Sequence, residues 1–342
     1  MIKKESIDRL KEQASISAVV GRYVKLDNKG QACCPFHNEN TPSFRVTENK
    51  GLYKCFGCGE SGDSFAFVQK HANMGFADAV KEVAEIMNFS LEYEEMTPEK
   101  KVAMDELSQM IELNEQVASW FQNKLLESSQ AKDYLAKRGY SVEDAIKMEL
   151  GFAPDSWDWL KNKMIDAGKL PLAIKLGLVV NKEEKLYDFF RDRIMFVVRD
   201  GRGKARGFSG RYIGENDKAP KYLNSKESIC YTKETLLFGL HRAAAHIKPH
   251  SGVYVVEGNF DVTSCHLKGY MNVVASCGTA LSVHAVKILK KYSAKILLLR
   301  DGDDAGQKAM NKDIDTVLKA GCIPYACSLE NAKDIDELLN KK

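Results

Sequence analysis

The 342-residue sequence predicts a multidomain protein of mixed α+β and α/β class. Three observations carry this: a cysteine-rich stretch near the N-terminus, a middle region mixing helical and strand-like patterns, and a C-terminal stretch where strand and helix patterns alternate. At ~150 residues per domain, the length accommodates two or three domains. A hydrophobic fraction of 44% with 28% charged residues suits a packed globular chain and excludes wholesale disorder.

The elements follow in chain order. Residues 5–26 read as a short helix and an extended approach. Residues 31–58 are rich in Cys, Gly and Pro, with strand-like runs at Ser43–Val46 and Gly51–Lys54. Helical patterning begins after Gly62-Asp63, where Asp63 or Ser64 can cap the first turn. A second amphipathic helix carries Ala79, Val80, Val83, Ile86 and Met87 on one side. A polar, charged run follows, and residues 96–106 are assigned as a linker after a first domain of residues 1–95. Residues 105–150 are mostly helical, and 186–213 read as strands turning at Asp200-Gly201-Arg202-Gly203. From 252 the order is strand Val253–Val256, helix 260–268, strand Val273–Ala275, helix 283–292, strand Lys295–Leu299, helix 305–320, strand Ile323–Cys327. That rhythm implies a mostly parallel sheet flanked by helices. The remaining boundaries are then 107–250 and 251–342.

No apolar run approaches the ~20 residues that span a bilayer. Met1-Ile2-Lys3-Lys4-Glu5 leads into no apolar signal core, so secretion is not expected and a cytoplasmic location is. The net charge of +3 is unevenly spread: −5 over residues 1–130, +7 over 131–250 and +1 over 251–342. The segment Arg191–Lys233 holds 11 basic and 5 acidic residues, a stretch that can track a phosphate backbone or simply form a solvated face.

Four of the nine cysteines lie between Cys33 and Cys58. Cys34-Pro35-Phe36-His37 and Cys55-Phe56-Gly57-Cys58 form two knuckles separated by 17 residues, the spacing of a zinc ribbon. Thiolate and imidazole donors suit Zn²⁺, and four filled positions make one closed structural site. Cys33 is the alternative first ligand, and Cys34 is preferred because it precedes Pro-Phe-His. These motifs, extended through Asn38-Glu39-Asn40-Thr41-Pro42-Ser43-Phe44 and Gly59-Glu60-Ser61-Gly62-Asp63, closely resemble the zinc-binding domain of bacterial DnaG-type DNA primases over residues 5–90. The resemblance implies binding of single-stranded template. Phe36, Phe44, Tyr53 and Phe56 are candidates for base stacking or for the ribbon's own small core.

Two acidic sets sit where predicted strands end: Glu257-Gly258-Asn259-Phe260-Asp261 and Asp301-Gly302-Asp303-Asp304. Open parallel sheets bind ligands at the carboxyl ends of their strands. Carboxylates crowded there repel, and a divalent cation relieves the repulsion, which points to a metal site for phosphoryl transfer. A third set is Asp334-Ile335-Asp336. The spacing resembles the TOPRIM domain shared by primases, topoisomerases and some nucleases, over residues 252–340. By that resemblance Glu257, Asp301 and Asp303 are the catalytic, metal-binding acids, and Asp334 and Asp336 the later magnesium-binding pair. Asn259, Arg300 and Ile335 depart from the pattern.

Between these regions, Phe190–Phe196, Gly207–Arg211, Pro220–Ser225 and Tyr134–Gly139 are similar to the primase core. Carried over by position, Arg138, Arg193, Arg211, Lys221 and Lys233 are implied to bind template or nucleotide; Arg193 alternatively pairs with Asp192 or Asp188. The expected function is synthesis of short RNA primers on single-stranded DNA from ribonucleoside triphosphates, with one zinc, two or more Mg²⁺ or Mn²⁺ ions, and a replicative helicase as partner. The chain stops about six residues after Asp336, as expected of a compact form, phage or mobile-element encoded, without the usual helicase-binding domain, or of a truncated piece of a longer primase. A topoisomerase or nuclease using the same acids, or a non-catalytic nucleic-acid-binding protein, are the alternatives. Trp157 and Trp159 read as packing residues, and Cys230, Cys265, Cys277, Cys322 and Cys327 as reduced and inert.

Overall fold

The computed structural model describes residues 1–72, 74–94, 97–247, 251–278, 280–300, 304–328 and 335–340. Two compact units divide the chain at Val102/Ala103.

The first unit packs four helices, α1 (Lys4–Gln13), α2 (Ile16–Gly21), α3 (Ser64–His71) and α4 (Phe76–Ile86), with a four-stranded sheet. Its strands β1 (Gln31–Ala32), β2 (Phe44–Thr47), β3 (Leu52–Cys55) and β4 (Ser61–Gly62) are antiparallel in that order. Alternation decides the faces: Phe44, Val46, Tyr53 and Cys55 are buried, while Arg45, Leu52 and Lys54 are exposed. As expected, Asp63 caps α3, its carboxylate accepting from the Ala66 N–H. The core is apolar and aromatic, with Phe44 stacked on Tyr53 at 5.2 Å and Phe67 edge-on to Tyr53 at 5.5 Å. Residues expected to link the domains are helical from Pro98, within α5 (Pro98–Glu127). Proline is tolerated there because first-turn N–H groups have no helical partner.

The second unit continues from α5 through α6 (Ser129–Lys137) and α7 (Val142–Lys147) to β5 (Gly151–Ala153), then α8 (Trp159–Asp166) and α9 (Leu170–Lys175). A hairpin of β6 (Val179–Lys182) and β7 (Lys185–Asp188) precedes β8 (Arg193–Arg199), β9 (Ala205–Tyr212) and β10 (Tyr222–Asn224). These make an antiparallel sheet ordered β10-β9-β8-β5. Strand β8 is buried on both faces: Ile194, Phe196 and Val198 join one core, Met195 and Val197 another. This is why its sequence is an apolar run rather than an alternation.

The last part holds β11 (Leu237–Phe238), α10 (Leu240–Ala243), β12 (Val253–Val256), α11 (Asn259–Leu267), β13 (Val273–Ser276) and α12 (Val283–Leu289). After them come β14 (Lys295–Arg300), α13 (Asp304–Lys319), β15 (Ile323–Ser328) and α14 (Ile335–Asn340). The sheet order is β11-β13-β12-β14-β15, parallel except for β11. The expected alternating architecture is present, with β11 as an added antiparallel edge. Val253 and Val255 face one core and Val256 the other, so both faces of the sheet are covered. Among the described residues, no helix is long and apolar enough to cross a membrane.

Candidate functional site

In the first unit, β1 and the end of β3 bring Cys34, His37, Cys55 and Cys58 together, with their ligand atoms all within 4.8 Å of one another. Cys34 Sγ and Cys58 Sγ are 3.8 Å apart, and Cys55 Sγ lies 3.9 Å from His37 Nδ1. A tetrahedron with Zn–S bonds of about 2.3 Å has edges of about 3.8 Å, so the donors fit zinc in type and separation. Cys33 is exposed and outside the group. Knuckle amides point at sulfur: Phe36 N–H donates to Cys34 and Cys58 N–H to Cys55. A Cβ at Gly57 would fall 2.8 Å from His37 Nε2, so this position must lack one. Burial pushes the Cys34 thiol up to about 12. At Cys55 burial acts the same way but is outweighed by the Ser43 hydroxyl and the knuckle N–H groups, bringing that thiol down to about 6.

One carboxylate organises the set. Glu39 accepts hydrogen bonds from Cys34 N–H (2.7 Å) and the Ser43 hydroxyl (2.6 Å), and lies 3.2 Å from His37 Nε2. The Ser43 hydroxyl is also 3.1 Å from Cys55 Sγ.

Of the four aromatic residues considered for stacking, Phe44 and Tyr53 are buried, and Phe36 packs on both at 6.3 and 5.9 Å. Phe56 is 69% exposed, with Lys54 Nζ 5.3 Å from its ring centre. Arg45 stands opposite Lys54 on the same outward face.

In the second unit, the basic residues separate into two groups. Lys221 and Lys233 are exposed. Arg211 is half-buried over the Tyr222 ring, at 5.5 Å, and its Nε has no hydrogen-bond partner among the described residues. Arg193 and Arg138 are committed within the protein. Arg193, 4% exposed, donates to the carbonyls of Gly210 (3.1 Å) and Pro220 (2.9 Å). Burial brings it down to about 10. Arg138 pairs with Asp336 and lies 4.4 Å over the Phe260 ring.

A cavity of about 470 Å³ beside Arg193 is lined by Trp157, Tyr187, Arg191 and Tyr212 among others. Arg191 stacks on Trp157 at 3.9 Å, and Trp157 is 61% exposed. The sequence reading took Trp157 for packing; the structure places it in the open. The signal was faint, because what Trp157 meets, the Tyr187 ring edge-on at 5.5 Å and the Asp188 N–H on its carbonyl, lies far along the chain.

The acidic edge follows from topology. From β12 the chain crosses to β13 on one side, while β14 and β15 lie on the other. A crevice opens at such a switch point, at the carboxyl ends of β12 and β14. Val253, Tyr254 and Val255 pair with Ile296, Leu297 and Leu298, so both strands end at one edge. Glu257, half-buried, follows β12 directly. Asp301, Asp303 and Asp334 lie outside the described residues. Asp261 is buried and accepts from Gly258 N–H at 2.8 Å. Asp336 is buried among protein donors, Tyr140, Ser264 and Arg138. Arg300, the last residue of β14, is 4% exposed and paired with Asp313.

Three family models match in tandem: the CHC2 zinc finger over residues 2–99, the N-terminal domain of the DNA primase catalytic core over 120–244, and a Toprim-like domain over 254–339. The chain is 38% identical to the DNA primase of Clostridium acetobutylicum, covering 100% of this chain and 57% of that one. It is 35% identical to the DNA primase of Halalkalibacterium halodurans, covering 99% and 58%. The chain thus spans less than two thirds of the length of these curated relatives. Among solved structures, the zinc-binding and RNA polymerase domains of the Aquifex aeolicus primase match at 33% identity and TM-score 0.62, over 98% of this chain and 81% of that one. A DnaG primase catalytic domain bound to single-stranded DNA matches at 31% identity and TM-score 0.63, over 70% and 79%.

Proposed function

The chain belongs to the DnaG-type primase family, and from that premise we propose that it synthesises short RNA primers on single-stranded DNA from ribonucleoside triphosphates. The observation that carries the proposal is the switch-point edge, where Glu257 follows β12 and the Asp301-Gly302-Asp303 motif follows β14 in sequence. Glu257, Asp301 and Asp303 are assigned the divalent ions, Mg²⁺ or Mn²⁺, which when bound help ionise the attacking 3′-hydroxyl and neutralise the leaving pyrophosphate.

The other parts divide the labour. The ribbon, stapled by one zinc on Cys34, His37, Cys55 and Cys58, presents Phe56 for base stacking, with Arg45 and Lys54 for phosphates. Arg211, Lys221 and Lys233 supply cations to template or triphosphate, as a guanidinium binds two phosphate oxygens and an ammonium acts as a point charge. The cavity with Trp157 and Arg191 suits a nucleobase and its phosphate. Arg193 serves this groove by holding its wall. A replicative helicase is the expected partner.

The test is Asp301→Asn in the full chain, assayed for labelled ribonucleotide incorporation on single-stranded DNA. Incorporation is expected to vanish, with zinc content and DNA binding retained, because neither the ribbon nor the cationic surface uses this acid. Near-normal incorporation at ordinary Mg²⁺ overturns the assignment.

A further inference from the structure

We propose that Asp336 is a positioning residue, the hub of a buried clamp that fixes the turn carrying Glu257, and does not ligate the divalent ions. The inference rests on the reading of Glu257 as a metal-binding acid.

The geometry points to the clamp from three sides. Asp336 Oδ1 accepts from the Tyr140 hydroxyl at 2.6 Å and from the Ser264 hydroxyl. Its Oδ2 is taken by the Arg138 guanidinium, which is itself stacked over Phe260. Its main-chain N–H donates to Asp261 Oδ1 at 3.1 Å, and Asp261 Oδ2 in turn accepts from the Gly258 N–H at 2.8 Å. Gly258 is the neighbour of Glu257. The path from the Asp336 main chain to the Glu257 turn is therefore two hydrogen bonds long, both made to the Asp261 carboxylate.

Chemistry separates a hub from a ligand. A magnesium-binding carboxylate faces other acids and water, and is held ready by repulsion that the ion relieves. Asp336 faces two hydroxyl donors and a guanidinium, which already compensate its charge in a buried setting. Moving it to an ion would leave the Arg138 charge without its carboxylate partner. Ile335, just before it, is buried in the core shared with Phe260 and Val256, so the first turn of α14 is anchored as well as bonded.

The two roles give opposite signs in metal-free melting. Removing a ligand from a repulsive acid cluster raises the melting temperature, whereas removing a hub lowers it. The experiment uses the full chain with Asp336→Asn, Tyr140→Phe and the double variant, melted without divalent metal, together with Mn²⁺ binding followed by electron paramagnetic resonance. Asp336→Asn should lower the melting temperature by roughly 5 °C or more. The double variant should fall by clearly less than the sum of the singles, because both remove one network. The number of Mn²⁺ ions bound should match the wild type, with affinity weakened roughly tenfold, as when the outer support of a metal site is lost. A raised melting temperature, additive singles, or loss of a bound ion overturns the hub. Unchanged Mn²⁺ affinity overturns the positioning role. A wild-type chain that binds no Mn²⁺ overturns the metal reading of Glu257 instead, and the melting cycle then decides the hub by itself.

Discussion

Glu39 Oε2 lies 3.2 Å from His37 Nε2, leaving the imidazole's Nδ1 turned toward the Cys55 sulfur. The carboxylate thereby selects the tautomer that presents a lone pair from Nδ1, and through Ser43 it also touches the Cys55 side of the cluster. Glu39→Gln is expected to weaken zinc binding by roughly 10- to 100-fold, read by competition with a chromophoric chelator. Cys33→Ser should leave zinc content at about one per chain. Equal zinc affinity in Glu39→Gln and wild type would assign Glu39 to loop structure alone.

Arg300 and Asp313 form an ion pair with both side chains almost fully buried, at 4% and 1% exposure, and Asp313 also accepts from Leu281 N–H. Breaking one side leaves a buried charge without compensation. Arg300→Met is expected to cost about 3–5 kcal/mol of unfolding free energy. Arg300→Met with Asp313→Leu should recover most of it, because two apolar groups can replace a buried pair. Chemical denaturation gives both values, and a double variant no better than the single would refute the pairing.

The cationic surface and the groove predict different behaviour. Lys221→Ala and Arg211→Ala should weaken single-stranded DNA binding and each reduce the salt slope by about 0.7. Trp157→Ala should weaken binding by about 1–3 kcal/mol with the slope unchanged, since stacking releases no counterions. Arg193→Ala should lower stability first, because Gly210 and Pro220 lose their donor. Titrations at several salt concentrations separate the three, and a slope change in Trp157→Ala would contradict the stacking role.

His241 is half-buried, both of its ring nitrogens are shut off from solvent without hydrogen-bond partners among the described residues, and burial followed by the neighbouring Arg242 brings it down to about 4. The unfolded chain takes up a proton near the ordinary value of about 6.5, the folded chain only near 4. Folding is therefore favoured above pH 6.5, and that contribution, up to ~3 kcal/mol, is lost as pH falls toward 4. Melting of His241→Leu should change less between pH 7 and 5 than melting of wild type. Identical shifts in both would show that another group controls the acid sensitivity.

Much of this was legible in the chain itself. The x₂ knuckles, the Asp63 cap, the alternation of β2 and β3 and the strand–helix rhythm after residue 252 are local patterns, set by backbone period and turn chemistry within a few residues. The same holds for Glu257 at a strand end, because strand and turn are neighbours in sequence. Partnership was not legible. Arg193 reads in sequence as a phosphate-binding cation or a partner of Asp192 or Asp188, and only the fold shows it donating to Gly210 and Pro220; Asp336 reads as a metal acid, and only the fold shows Arg138, 198 residues away, against it. Trp157 likewise becomes a groove residue only when Arg191 stacks on it. A charge in sequence has a sign but no partner. Tertiary packing decides whether that charge is neutralised inside the protein or left to meet a ligand, since burial without compensation is too costly to persist.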